Sequence, residues 1–404
     1  MKFSKSQLTV IYTLSLLTAL EALSIDLYLP AFYSMAKGFN TSVEKIQLSL
    51  SIFIGGFAVG QLLWGIISDK FGRKKPLLIA TLIFIIASFA ISFTSTIEGL
   101  WFWRFIQAFC GSAGVVISRA IVKDSFDSKN TITAFTILNM LMGIVPIIAP
   151  ILGNFLLKMG HWQYIFIAIG VIGMIALLMI IAFIKENSTQ GHHTSTVTES
   201  ISNSPDFKYV FHDRQFIIYT IIGSLCYSAL MIYISGSPFL LMVKAGFSET
   251  QYSFLFALNS IGLIGASYLV NLLVKRFKLK TVVKTVAVLQ TICASLILFN
   301  SYMDYSIYMT LVLLFLYLMA VGVFLPATIE LALQRHSKKS GRASALFGFI
   351  QLSIAFIFST LIGLLQKGSE LPLLIGLFLC AILSVIVSAL DFSKKNDWKI
   401  IKFK

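Results

Sequence analysis

Two carboxylates, Glu21 and Asp26, interrupt the otherwise apolar stretch TLSLLTALEALSIDLYLPAF (13–32). A carboxyl group in a low-dielectric cavity can load and release a proton near physiological pH. If a solute competes for the same site, occupancy by one expels the other, which is the chemistry of proton-coupled exchange. The two acids are five residues apart, about 140° around a helix, so one faces a cavity while the other looks toward a neighbouring helix. Arg104 is a permanent cation that can serve as counter-charge, with Gln107 at i+3 on its own face. A second charged group occurs in GQLLWGIISDKFGRKKP (60–76), where Gly65, Asp69, Gly72 and Arg73 combine turn freedom with a carboxylate and a guanidinium. Ion pairs there can exist in one conformation and break in another, and Arg119 and Asp124 read as further members of the same latch.

Other chemistries find no seat. The cysteines Cys110, Cys226, Cys293 and Cys380 fall in apolar runs without CxxC spacing, so they read as small core residues. His192–His193 has no spaced partner ligand, and no metal site is expected. There is no GxxxxGK[ST] phosphate loop for an ATP-driven pump. With no histidine well inside a span, a membrane-embedded hydrolase lacks its machinery. No charge ring or carbonyl filter suggests a channel.

The elements that must position these groups are membrane helices. The chain is 57% hydrophobic and 12% charged, with 404 residues and a mean hydropathy of +0.87, whereas soluble domains run nearer one quarter charged. A helix needs roughly 20 apolar residues to cross the hydrocarbon core. Such segments lie at about 8–36, 46–67, 76–96, 99–122, 131–157 and 162–184, and then at 215–239, 251–274, 282–301, 307–333, 343–366 and 371–390. The basic, then apolar opening MKFSKSQLTVIYTLSLL is expected to remain as the first helix, since the apolar run continues through Asp26 to Pro30 without a cleavage site. The domain reading is a six-helix half at 1–184, a polar link at 185–214, a second half at 215–392 and a tail at 393–404. Six, a linker and six is the pattern of a duplicated transporter.

Of the 32 Lys and Arg residues, 25 fall on the side holding both termini and the link, which makes that side cytoplasmic. The net charge of +15 is therefore topological. It calls for no nucleic acid, though it can attract anionic lipid.

The 60–76 turn resembles the motif between the second and third helices of the major facilitator superfamily, on Gly65, Asp69, Gly72 and Arg73. LSIDLYLPAF (23–32), RFIQAFCGSAGVVISRAIVKD (104–124) and GIVPIIAPILGNFLL (143–157) are each similar to motifs of its Bcr/CflA group of drug–proton antiporters. FHDRQFIIYT, YISGSPFLLM and GRASALFGFIQ extend the likeness through the second half. The resemblance implies an all-α integral membrane fold of twelve helices, its two six-helix halves related by a pseudo-twofold axis. It also implies export of small drug-like molecules against protons from the bacterial inner membrane, with the proton gradient as energy source and no cofactor. On this reading Asp26 carries the proton, Glu21 is its rival, Arg104 tunes it, and Arg73 pairs with Asp124. In the fifth helix Gly143, Pro146, Pro150 and Gly153 match the antiporter motif, which is expected to seal the cavity against proton leak.

Phe53, Phe57, Tyr227, Tyr233, Phe254, Asn259 and Tyr317 are expected to line a large, mostly apolar cavity with Asp26, Arg104 and Gln107. A self-made metabolite such as a siderophore or amino acid is the alternative cargo, and a proton-coupled importer a third reading. The partners are then substrate, protons and lipid, and nothing in the chain requires an oligomer.

Overall fold

Why these residues become helices follows from the bilayer, where every backbone polar group must find its partner inside its own segment. The computed structural model describes residues 4–126, 128–184, 213–303, 305–335 and 340–391. The link at 185–214 lies outside the described residues save for its last two, and the tail at 393–404 lies wholly outside them. Among the described residues every regular element is helical, and twelve spans are long and apolar enough to cross a membrane.

The chain divides into two compact units, Met1–Asn203 with Phe247–Ala257 and Ser204–Gly246 with Leu258–Lys404. The first holds α1 (Lys5–Asp26), a 3-10 turn (Leu29–Ala31), α2 (Phe32–Gly38), α3 (Val43–Phe71), α4 (Lys74–Phe93), α5 (Ile97–Ser125), α6 (Ser128–Lys158) and α7 (Gln163–Phe183). The second holds α8 (Arg214–Pro238), a π-helical turn (Phe239–Lys244), α10 (Leu279–Tyr302), α11 (Ile307–Leu333), α12 (Ser340–Leu365) and α13 (Leu371–Ala389). Helix α9 (Glu249–Leu273) begins in the first unit and continues in the second.

Local chemistry sets several ends. Ser4 and Gln7 form a reciprocal capping box that starts α1, and the Thr96 hydroxyl accepts from Gly99 N–H at 3.1 Å to start α5. Helix α3 stops at Gly72, whose φ of 85° is costly for residues with a side chain.

The first span occupies the segment expected at 8–36, but it is not one continuous helix. It is α1, a 3-10 turn and α2 in series, and Pro30 is the physical cause. It has no N–H to give the Asp26 carbonyl four residues back, and its ring would collide with that carbonyl. Asp26 therefore becomes the last residue of α1.

Inside the first unit, α3 and α5 run against each other, with Trp64 Nε1 donating to the Phe109 carbonyl at 2.8 Å. Helix α1 packs on α5, α6 and α7. Inside the second unit, α8 is enclosed by α11, α12 and α13.

Candidate functional site

Asp26 is 3% exposed, and among the described residues it forms no ion pair. Five residues earlier Glu21 is half-buried. The basic group that acts on Glu21 electrostatically is Arg119 of α5, while Asp26 feels Glu21 itself. The two acids thus have different electrical surroundings, and Arg119 acts on α1 through its charge alone, with no hydrogen bond or ion pair to it among the described residues.

Arg104 is completely buried. Its guanidinium is stacked between Tyr28 and Phe53, with its carbon 4.3 and 4.2 Å from the two ring centroids, and Phe166 closes the cage at 5.9 Å. Desolvated cation–π contacts of this kind contribute about 2 kcal/mol or more. Nη1 donates to the Ser24 carbonyl at 3.0 Å and to Gln107 Oε1 at 2.6 Å. Gln107 Nε2 passes the chain on to Ser88 Oγ at 2.8 Å. Arg104 therefore reaches the α1 backbone two residues before Asp26 without forming an ion pair with its carboxylate. Sequence reading named Arg104, Gln107 and Phe53 but not Tyr28, Ser24, Ser88 or Phe166. Tyr28 and Ser24 stand in the quoted 23–32 stretch, and an aromatic two residues after a buried acid was their only signal.

A groove of about 320 Å³ runs between α1 and α6, lined chiefly by Tyr12, Ser15, Leu23, Leu141, Ile144 and Ile148. Apart from the Tyr12 and Ser15 hydroxyls its walls are apolar. It follows α1 up to Leu23, about 4.5 Å of helix rise short of Asp26. None of the aromatics expected to line a cavity lines this groove. Phe53 and Phe57 are buried, Tyr227 is half-buried, and Phe254 is 62% exposed. Tyr233 accepts from Asn259 Nδ2 at 2.7 Å. The buried Tyr317 hydroxyl is committed to the Leu377 carbonyl at 2.9 Å.

At the basic end of the first unit Arg73 is 7% exposed. Its Nε donates to Asp124 Oδ2 at 2.9 Å, and its Nη1 donates to Ser68 Oγ at 3.0 Å and to Asp69. One guanidinium thus ties the end of α3, the α3–α4 turn and the end of α5 together, a fork geometry lysine could not reproduce. Gly65 touches only Val116 at 3.8 Å if given a Cβ, so it has room for a methyl group here.

The sequence model of the Major Facilitator Superfamily matches residues 14–360. The chain belongs to this superfamily. An uncharacterized MFS-type transporter of Bacillus subtilis, YdgK, is 31% identical over 383 residues, 94% of either chain. A bicyclomycin resistance protein homolog of Haemophilus influenzae is 24% identical over 96% of both chains, which fits the Bcr/CflA likeness. The multidrug resistance protein MdtL of Escherichia coli is 25% identical over 92% of both. Among solved structures, a D-xylose-proton symporter matches with a TM-score of 0.79 at 13% identity, covering 96% of this chain and 98% of that one. The nucleoside transporter NupG matches at 0.72 and 15% identity, covering 94% and 98%. At those identities the solved structures establish the fold. The superfamily establishes a multi-pass membrane transporter rather than an enzyme.

In this superfamily member the fifth-span residues do different work. Helix α6 runs through Pro146 and Pro150 without ending. Gly143 has open space where a Cβ would stand, whereas a Cβ on Gly153 would overlap the Leu27 carbonyl oxygen. That oxygen belongs to the break that follows Asp26. We expect Gly153→Ala to push α6 off this break and lower transport at least about tenfold. The cost is about 1–3 kcal/mol of overpacking, measured as transport in proteoliposomes beside thermal unfolding in detergent. Gly143→Ala is expected to leave both near the wild-type values.

The second half of the transporter has its own basic-end clamp. Shifting the sequence by 206 residues puts Lys275 opposite Asp69 and Lys278 opposite Gly72, so the second half lacks the motif of the first. The same shift puts Lys280 opposite Lys74. Lys74 Nζ donates to the Ile181 carbonyl at 3.0 Å, and Lys280 Nζ pairs with Asp391 Oδ2 at 3.0 Å. The Tyr219 hydroxyl donates to the same carboxylate at 2.7 Å, joining α8, α10 and the end of α13.

Burial pushes the Asp391 carboxyl up, but Tyr219, Lys280 and Lys284 outweigh burial and hold it below its usual range. An acid with a depressed folded pKa stabilises above its unfolded pKa and loses that effect as pH falls through the folded one. Asp391→Asn is therefore expected to cost about 1 kcal/mol. Its melting-temperature gap from wild type should hold from pH 8 down to about 5 and close only in acid below about 4. Thermal unfolding across that pH series checks it.

Proposed function

We propose that this transporter exports small drug-like molecules in exchange for protons, by alternating access across the bacterial inner membrane. Both termini and the 185–214 link are cytoplasmic in this reading, the chain acts as a monomer, and the proton gradient is its energy source. The observation that carries the proposal is Asp26, a buried acid without an ion pair among the described residues, at the end of a broken span and just past the end of an apolar groove. Discontinuous helices are where transporters of this kind hold ions and substrates. An acid inside the membrane needs a function to offset its insertion cost of about 2.5–3.5 kcal/mol. The bicyclomycin- and multidrug-resistance names of the relatives support the cargo class.

In this account Asp26 carries the proton, Arg104 positions the α1 segment before it, and the Arg73 cluster holds the basic end of the first unit shut in one state. The test is uptake into proteoliposomes under an imposed pH gradient, with chloramphenicol, bicyclomycin, a sulfonamide, a lipophilic cation and a siderophore as cargoes. Gradient-dependent movement of a drug, abolished by a protonophore, supports the reading. Movement of the siderophore alone makes the cargo a self-made metabolite. Movement down the gradient with the proton makes the protein an importer.

A further inference from the structure

The second unit contains a polar cavity of about 200 Å³ at the end opposite its basic loops. At about 30 Å³ per water molecule it has room for roughly seven waters. Its wall combines Leu240, Lys244, Asn300, Ser301, Thr310 and Glu370. The wider π-helical turn Phe239–Lys244 carries α8 to its rim, with Ala245 N–H donating to the Leu240 carbonyl at 3.1 Å. Single π turns inside helices recur at functional sites.

Asn300 is 3% exposed, and its amide nitrogen donates to the Ser306 carbonyl at 2.9 Å and to Thr310 Oγ1 at 2.8 Å. A carbonyl can only accept, so the Ser306 contact fixes which way the amide points. Among the described residues the Asn300 Oδ1 is a buried acceptor with no donor, a costly arrangement that invites a ligand N–H.

Glu370 stands at the N-cap of α13, where its carbonyl accepts from Leu374 N–H at 3.1 Å but its side chain makes no capping hydrogen bond. Its Oε1 accepts from Ser301 Oγ at 3.4 Å and its Oε2 pairs with Lys244 Nζ at 3.1 Å. Burial pushes its carboxyl up, but its own backbone amide, Lys244 and Ser301 hold it below the usual range, so it stays ionised at neutral pH. Lys244, nearly half exposed, is the last residue of its span, the level at which a lysine meets headgroup phosphates.

We propose that this cavity binds a primary ammonium group that carries a phosphate, as in ethanolamine phosphate, at a site separate from Asp26 and Arg104. The ammonium donates to Asn300 Oδ1 and Glu370, and the phosphate takes Lys244, a point charge suited to it. The same chemistry can come from a free solute or from the headgroup of an ethanolamine phospholipid.

The test uses the purified full chain with O-phosphoethanolamine as probe. Phosphocholine, which has no N–H donors, is the matched control, and both are read by calorimetry and thermal unfolding. In parallel, phosphatidylcholine nanodiscs with and without phosphatidylethanolamine are compared. Saturable binding of O-phosphoethanolamine, weakened at least about tenfold by Lys244→Gln and by Glu370→Gln, supports a soluble ligand. Stabilisation by phosphatidylethanolamine in wild type but in neither variant, without binding of the soluble probe, supports the lipid headgroup. Lys244 is exposed enough that its variant should fold even if Glu370→Gln does not. Equal binding of phosphocholine, unchanged binding in Lys244→Gln, or silence in both arms overturns the proposal.

Discussion

Asp26→Asn is expected to reduce proton-driven exchange to the rate of protein-free liposomes while leaving the fold and gradient-independent substrate binding intact. Asparagine is nearly isosteric with the acid but cannot take up and release a proton in the working range. Asp26 forms no ion pair among the described residues that its loss would break, so the stability cost is small. Melting temperature should move by no more than a few degrees, because neutralising a buried acid also removes its desolvation cost. Glu21→Gln is the internal comparison. Glu21 has Arg119 as its electrostatic counterpart and is less buried, so its variant is expected to retain most of the exchange. Uptake under an imposed pH gradient, paired with substrate counterflow without one, separates proton coupling from binding. If Asp26→Asn exchanges at the wild-type rate and Glu21→Gln does not, the proton belongs to Glu21, and the break at Pro30 has another purpose.

What could be read from the chain divides along physical lines. A membrane span is a property of one contiguous segment, so its apolar length announced each of the twelve. Pro30 announced a disturbance, yet that Asp26 would become the end of α1 emerged only with the helix ends in view. Contacts between segments were legible only where a family motif had already linked them. Arg73 and Asp124 are 51 residues apart, and resemblance paired them; the structure puts them 2.9 Å apart. The Arg104 cage draws Tyr28, Phe53 and Phe166 from three different spans, and no periodicity relates them. The Lys280–Asp391 clamp escaped notice because the comparison of halves sought a copy of the first motif, whereas the second half reaches a similar mechanical result with a different acid. The Asn300 cavity escaped as the Arg104 cage did, because its polar atoms come from the ends of four spans.

Arg104→Lys is expected to abolish coupled transport although it keeps the charge. The ammonium of lysine is a compact, strongly hydrated point charge, whereas the guanidinium is a plane. Only a plane can lie against Tyr28 and Phe53 at 4.3 and 4.2 Å while its Nη1 reaches both Ser24 and Gln107. Losing the stacking and one charge-assisted hydrogen bond should destabilise the first half by about 2–4 kcal/mol. The freed Ser24 carbonyl would then no longer anchor α1 two residues before Asp26. Phe53→Leu removes one wall of the cage but neither hydrogen bond, so it is expected to fall between wild type and Arg104→Lys in both transport and melting temperature. That graded order, measured on the same proteoliposome and unfolding assays, would mean that the orientation of the guanidinium holds the Asp26 segment in its working geometry. Full transport by Arg104→Lys with a lowered melting temperature would instead mean that a positive charge anywhere in the cage suffices, and that the aromatic rings serve packing. The two outcomes differ in whether the arginine acts through its shape or through its field, and the lysine substitution changes the first while preserving the second.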